Sequence, residues 1–359
     1  MKGDFKENWQ ETRERFTAWW KRKEMDRPLM VVTTPRSQLS TCNDAHEHEK
    51  NAISMEEQWL NAEGVLRKKE TEFERTAYLG EAFPYLWADL GPGSLGTFLG
   101  AKPVFEPDTV WYEPCFDQVR DAVIQFHKDS PWWRWTMETT RMAVERAGGR
   151  YLVTFPDLIE NLDTLAALLG TEETLVYLID APDEIHRLQK ALLPVWFEAY
   201  NALYDLIQDE EGWSAFAAFN IWGPGKTAKL QCDFSAMISP AMFDEFVLPY
   251  LQQQCDALDC TIYHLDGSHA IRHLDSLLSI DSLDCIQWTP GAGAPDGGDP
   301  CWDVIYRKTL DAGKCIHAHM PVHQVKDFVK RFGKTGVFIQ TYAPSEEEGQ
   351  RLIDESFTW

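Results

Sequence analysis

Apolar and polar residues follow two alternating patterns along the chain. Trp9, Phe16, Trp19 and Trp20 recur at the spacing of an amphipathic helix, which Pro28 would end. Short apolar runs then alternate with helical segments. Nine of these runs are strand candidates, at 29–34, 84–90, 150–155, 213–219, 228–232, 261–264, 284–288, 314–319 and 337–340. Alternation of this kind predicts parallel βα units.

The βα rhythm predicts an α/β fold, specifically a (β/α)8 TIM barrel. We expect one domain over residues 1–359, with 1–27 as an N-terminal helical extension. Nine strands are one more than the barrel needs, so the extra one is assigned to a hairpin-like insertion within 213–232, around the turn at 223–225. A doubly wound open sheet is the competing fold, but no GxGxxG or GxxxxGK[ST] motif follows a strand.

Two of the intervening helices have clear limits in the sequence. A polar helix is expected over 54–77, and a second over 240–258. Ser239 has the side chain of an N-cap, and Pro240 stands at the first helical position, where its missing N–H costs nothing.

Composition narrows the class of protein. The net charge of −23 and the absence of a basic stripe disfavour a nucleic-acid partner. No apolar run reaches the ~18 residues of a membrane helix, and the polar N-terminus does not resemble a signal peptide. The eight cysteines are scattered without a CxxC pair, which is typical of reduced thiols. We expect a cytoplasmic protein without a membrane partner.

Candidate chemistry lies where the predicted strands end. In the run 262–267, the two-residue period of a strand places His264 and Asp266 on one face, and Gly267 permits a tight turn. Barrel enzymes keep their active sites at this end of the strands. The polar or aromatic candidates at such ends are Thr34, Arg36, Asp89, Asp157, Gln231, Asp233, His264, Asp266, Gln287, Trp288, His317, His319, Gln340 and Tyr342.

The types of these residues leave several chemistries open. His264, Asp266 and His319 could bind zinc or another divalent ion. The alternative is that the imidazoles only satisfy hydrogen bonds inside the barrel. No HExxH, paired-cysteine or GxSxG motif occurs. Acid–base work by aspartates is open if burial shifts their pKa. Trp222, Trp288 and Tyr342 are expected to line the pocket.

A longer pattern resembles the uroporphyrinogen decarboxylase superfamily. Residues 233–250 read DFSAMISPAMFDEFVLPY, and the next strand ends His264-Leu265-Asp266-Gly267. Looser matches lie at 88–90, 155–158 and 336–340, so that the resemblance covers most of 28–355. It implies a (β/α)8 barrel whose pocket lies at the C-terminal mouth. The superfamily contains porphyrinogen decarboxylases and methyltransferases that act with corrinoid proteins or on thiols.

Departures from the family patterns select among these activities. The decarboxylases carry R-Q-A-G-R after the first strand, whereas this chain has Arg36 alone, which disfavours a substrate with many carboxylates. The thiol methyltransferases bind zinc through H-x-C and a later cysteine. Here His264 is followed by Asp266, and the last strand ends Gln340-Thr341-Tyr342, so both sulfur ligands are missing.

The remaining branch implies a methyltransferase that moves a methyl group between a small methylated substrate and a corrinoid. No DxHxxG cobalamin motif occurs, so the corrinoid is expected on a separate protein. His264 and Asp266 would polarise or protonate the leaving heteroatom, assisted by Asp233 and Asp157. The alternatives are a decarboxylase or lyase of a small carboxylate, bound by Arg36, and a non-catalytic ligand-binding barrel.

Overall fold

The computed structural model describes residues 1–37, 54–216 and 218–359, which form an α/β fold with a mostly parallel central sheet. The strands are β1 Leu29–Pro35, β2 Thr76–Gly80, β3 Tyr85–Leu86, β4 Lys102–Phe105, β5 Val110–Glu113, β6 Leu152–Val153, β7 Trp213–Phe216, β8 Ile221–Pro224, β9 Thr227–Gln231, β10 Cys260–Asp266, β11 Cys285–Thr289, β12 Cys315–His319 and β13 Val337–Tyr342.

Fourteen α-helices surround these strands in the described ranges. They are α1 Trp9–Trp20, α2 Met55–Leu60, α3 Ala62–Arg75, α4 Ser94–Phe98, α5 Pro131–Ala147, α6 Asn161–Leu169, α7 Thr171–Asp180, α8 Pro182–Ile207, α9 Pro240–Phe246, α10 Leu248–Asp256, α11 Leu274–Leu278, α12 Asp303–Asp311, α13 Val322–Phe332 and α14 Glu346–Ser356.

Seven strands form the main sheet in the order β2-β1-β13-β12-β11-β10-β9. All neighbours pair in parallel except β1 and β2, which are antiparallel. Strands β3 and β6 form a separate parallel pair, and Phe155 forms a single parallel bridge to Phe216. Within the described residues no sheet is closed, so the α/β class is confirmed while the closed barrel stays a prediction.

The predicted insertion within 213–232 is a hairpin with different limits. Strands β7 and β8 pair antiparallel, and β9 joins the main sheet beside β10. The sequence predicts the turn at 223–225, but Gly223 and Pro224 belong to β8. The candidate strand 84–90 is also shorter than expected, because only Tyr85 and Leu86 pair with β6.

The predicted helix limits are largely confirmed, with two interruptions. The side-chain oxygen of Ser239 accepts a hydrogen bond from the Met242 N–H, so Ser239 caps α9 as expected. The helix expected over 54–77 is divided at Asn61, whose side chain accepts from the Gly64 N–H and begins α3. The helix expected over 240–258 is divided between α9 and α10 at Val247.

An aromatic core packs α1 against the β7–β8 hairpin. Trp222 is 1% exposed and packs against Trp9, Phe16 and Trp213, with ring centroids 5.2–6.3 Å apart. Such clusters contribute strongly to stability because aromatic rings bury large apolar areas. The periodic aromatic positions of α1 are therefore explained by this core.

The composition argues against membrane-spanning helices and disulfide bonds, and the structure bears on both features. Within the described ranges, no helix combines the length and hydropathy that crossing a bilayer requires. The seven cysteines that the structure describes are free thiols. Cys42 lies outside the described residues.

Candidate functional site

Three side chains converge at the carboxyl ends of β9 and β10. Asp233, His264 and Asp266 each place a potential ligand atom within 4.8 Å of the others. His264 and Asp266 share a face of β10, as the sequence predicted, and Asp233 follows β9, the parallel neighbour. The carboxyl ends of parallel strands meet at one edge of a sheet, and this brings the three residues together.

A hydrogen bond to the neighbouring strand β11 fixes the orientation of His264. Its Nδ1 is hydrogen-bonded to Oε1 of Gln287, the residue directly across the β10–β11 pairing. The Gln287 amide nitrogen donates to the Trp288 carbonyl and to Thr289 Oγ1, both at 2.9 Å. Oε1 is therefore an acceptor, so Nδ1 carries the proton and the lone pair lies on Nε2.

The second member of the pair, Asp266, has an unused acceptor. Its Oδ1 is buried and makes no hydrogen bond within the described part of the chain. Burial raises the pKa of Asp266, and the neighbouring His264 partly offsets that rise. Burial lowers the pKa of His264, and the positive charge of Lys229 lowers it further. The imidazole is therefore neutral near pH 7, and a buried carboxylate oxygen beside it lacks a partner.

Asp233 is held in place by a chain of polar contacts. Gln231 Nε2 donates to Asp233 Oδ2 at 3.0 Å, and Gln231 Oε1 accepts from Lys229 Nζ. Lys229 also donates to Asp157 Oδ1 at 2.6 Å. Asp233 is an exposed residue, but neighbouring protein atoms partly desolvate its carboxylate. This desolvation raises its pKa.

Two further carboxyl groups hold the backbone of this segment. Glu160 Oε1 accepts from the Gln231 N–H at 2.6 Å, while Asp163 accepts from the N–H groups of Asp233 and Phe234 at 2.8 and 2.7 Å. Burial raises the pKa of Glu160 well above its usual range. Burial also raises the pKa of Asp163 to about 7, and the charge of Asp233 contributes to that rise.

Two cavities adjoin the three-residue cluster, one lined by Asp233 and the other by Asp266. A cavity of about 310 Å³ is lined by Asp163, Gln231 and Asp233, and a second of about 380 Å³ by Asp266, Trp288 and His319. Trp87 lines two other cavities, of about 440 and 710 Å³. We place the candidate site at the first two, because the larger cavities do not contain the converging ligand atoms.

The structure separates the other predicted site residues into groups. Gln340 and Tyr342 line the cavity of about 440 Å³, and Asp89 lines that of about 710 Å³. Burial raises the pKa of Asp89. The guanidinium of Arg36 donates to the backbone carbonyls of Phe5 and Thr76, so it is engaged away from the cluster.

Two assignments need correction. Trp222 does not wall the site, because its ring lies in the aromatic core against α1. The sequence predicts His319 as the metal ligand beside His264 and Asp266, but in the described residues the third member of the close group is Asp233. His319 ends β12, which is two strands from β10 and three from β9 in the sheet, and it shares a cavity wall with Asp266.

Three residues of the site were not among the candidates from the sequence, whereas Gln287 was. The three are Lys229, Glu160 and Asp163. One signal was present: a lysine in an apolar strand needs a partner, since lysine is almost never fully buried unpaired. Glu160 and Asp163 flank the start of α6 and read as ordinary helix-start acids.

Comparisons with known proteins show the fold. Neither a family model nor a curated protein matches the chain. Among solved structures, a methyltransferase from Methanosarcina mazei is similar, with a TM-score of 0.61 and 12% identity, over 97% of this chain and 98% of that chain. The likeness extends over nearly the whole of both chains, so the two proteins share the same overall fold.

Proposed function

We propose that this protein is a methyltransferase that moves a methyl group between a small methylated substrate and a corrinoid carried by a separate protein. The cluster of Asp233, His264 and Asp266 carries the proposal. The fold similarity to a methyltransferase supports it. The resemblance of 233–250 and 264–267 to the uroporphyrinogen decarboxylase superfamily also supports it. With the function we propose the closed (β/α)8 barrel of that superfamily.

The donor set fits a divalent cation such as Zn²⁺. One neutral imidazole and two carboxylates match the nitrogen and oxygen ligands of catalytic zinc sites. The partnerless Oδ1 of Asp266 and the hydrogen bond that orients His264 are features of a prepared ligand set. Asp233, His264 and Asp266 would hold such a cation, and it would supply Lewis acidity at the heteroatom that carries the methyl group.

The chain's own residues bind and orient the substrate. The cavities beside Asp233 and Asp266, of about 310 and 380 Å³, are of a size for small molecules. Trp288 is fully buried and forms an apolar wall of the second cavity. The corrinoid would supply the nucleophile that accepts the methyl group. We assign the corrinoid to a separate protein because this sequence contains no DxHxxG motif.

A carboxylate substrate is disfavoured at this site. Asp157, Asp233 and Asp266 place negative charge at the site, and the buried cation beside them, Lys229, is already paired with Asp157. The guanidinium of Arg36 is bound to backbone carbonyls. Binding of a substrate carboxylate by a side chain would need a free cationic group, and neither Lys229 nor Arg36 provides one.

The test is methyl transfer in the presence of Zn²⁺ or Co²⁺. The purified protein is incubated with a reduced corrinoid protein and a panel of methylated amines, ethers and thioethers, and corrinoid methylation is followed by its visible absorbance. We expect transfer from at least one substrate, and its loss in Asp266→Asn. Asp327→Asn, at an exposed ion pair with Lys330 on α13, is the matched control and should retain activity.

Absence of transfer from every class of substrate would overturn the proposal. Carbon dioxide release without corrinoid would identify a decarboxylase instead. A thermal shift with ligands that are not turned over, unchanged in Asp266→Asn, would identify a non-catalytic binding protein.

A further inference from the structure

Lys229 is a buried cation behind the Asp233–His264–Asp266 cluster. It is 2% exposed and lies on β9 two residues before Gln231, so both side chains lie on one face of the strand. Its ammonium group donates to Asp157 and Gln231 and lies 6.0 Å from the centroid of the Phe216 ring. Burial of an ammonium group is costly unless it is paired. A lysine at this buried position therefore needs these contacts.

The lysine determines which way the Gln231 amide faces. An ammonium group only donates, so Oε1 of Gln231 must face Lys229. Nε2 then faces the other way and donates to Oδ2 of Asp233 at 3.0 Å. With the amide reversed, its oxygen would face the Asp233 carboxylate and repel it. The lysine thus holds the amide in the one orientation that supports Asp233.

We infer that Lys229 is a positioning residue that orients the Asp233 carboxylate through Gln231 for cation binding. The inference rests on the cation site of the proposed function and adds a residue that does not itself touch the cation. Partners behind a metal ligand commonly contribute about 10-fold to 100-fold in metal affinity. The Lys229–Gln231–Asp233 chain has the same arrangement, with the amide as the direct partner.

The charge of Lys229 and its positioning role have opposite effects on cation affinity. A positive charge near the cluster repels a bound cation, so removing it alone would strengthen binding. The ion pair with Asp157 offers a way to separate the two effects. Lys229→Met combined with Asp157→Asn removes one positive and one negative charge and leaves the net charge unchanged. A change in affinity in that double variant then reports mainly on positioning.

The experiment measures Zn²⁺ and Co²⁺ affinity by calorimetry and by Co²⁺ absorption in the full chain. We expect about 10-fold weaker binding in Gln231→Leu and a similar loss in the charge-conserving double variant. Combining all three substitutions should weaken binding no further than Gln231→Leu alone, because the lysine acts through the amide.

The matched control is Lys314→Met, which removes another buried lysine, one whose Nζ donates to the Ile280 and Leu283 carbonyls. Its metal affinity should match the unsubstituted protein even if its stability falls. Unchanged affinity in the double variant, or additive losses in the triple, would overturn the inference and leave the proposed function standing. If the unsubstituted protein binds neither cation, the cation site and this inference both fail.

Discussion

His264 and Gln287 face each other across the β10–β11 pairing, with Nδ1 of the histidine hydrogen-bonded to the glutamine oxygen. Gln287 is fully buried, and its amide nitrogen is engaged by the Trp288 carbonyl and Thr289 Oγ1. The glutamine cannot rotate without breaking these contacts. The pairing therefore presents Nε2 of His264 in a fixed direction.

We expect Gln287→Leu to weaken Zn²⁺ and Co²⁺ binding by about 10-fold to 100-fold, because the imidazole loses the acceptor that sets its tautomer and orientation. Calorimetric titration measures the effect. Gln287→Glu keeps an acceptor oxygen for Nδ1–H but loses the donor to the Trp288 carbonyl, so it should bind the cation more tightly than Gln287→Leu does. Equal affinity of Gln287→Leu and the unsubstituted protein would show that the hydrogen bond does not orient the ligand.

The third member of the ligand set can be tested directly. Asp233→Asn should reduce Co²⁺ affinity on the order of 100-fold or more, since a carboxylate in the close group is lost. His319→Gln should leave the affinity almost unchanged, because His319 lies outside that group. Co²⁺ absorption spectra of both variants would decide between them. The reverse result would restore the set that the sequence predicted.

Acid stability should depend on His317. Burial lowers the pKa of this fully buried imidazole from 6.5 to about 3. Between these values the unfolded chain binds a proton that the folded chain excludes, so the free energy of unfolding falls as the pH decreases from 6.5 towards 3. The loss between pH 7 and pH 4.5 is on the order of 2–3 kcal/mol.

Urea unfolding of His317→Gln at both pH values provides the measurement. The variant lacks this titrating group, so its stability should fall less over the same interval than that of the unsubstituted protein. Parallel losses in the two proteins would contradict the assignment, since other acidic groups titrate in both.

The ion pair that joins the start of β1 to the end of β2 should be essential for stability. Both oxygens of Glu81 accept from the Arg27 guanidinium, at 2.7 and 2.8 Å, and both residues are buried. Removing one partner leaves an uncompensated buried charge, so Glu81→Ala should cost about 3–5 kcal/mol in the free energy of unfolding.

Chemical denaturation checks this loss. The exposed pair of Lys330 and Asp327 gives the comparison, and Asp327→Ala should leave the midpoint unchanged because exposed pairs contribute little. A similar midpoint for Glu81→Ala and Asp327→Ala would show that burial does not matter for the pair at Glu81.

Local rules were sufficient where the deciding interactions are close in sequence. The two-residue period of a strand predicted the shared face of His264 and Asp266, and helix-capping chemistry predicted the start of α9 at Ser239. The same rules could not show that β3 pairs over only two residues. That length depends on β6, which lies more than 60 residues away.

The sequence by itself determined the βα alternation, the aromatic face of α1 and the polar pair at the end of β10. Each of these follows from the repeat of a helix or a strand. Only the tertiary structure decided that Asp233 and not His319 completes the cluster, that Trp222 lies in the core, and that Lys229 is buried behind the site. These outcomes depend on which strands are neighbours and on which charges share a buried volume, and neither is encoded in local spacing.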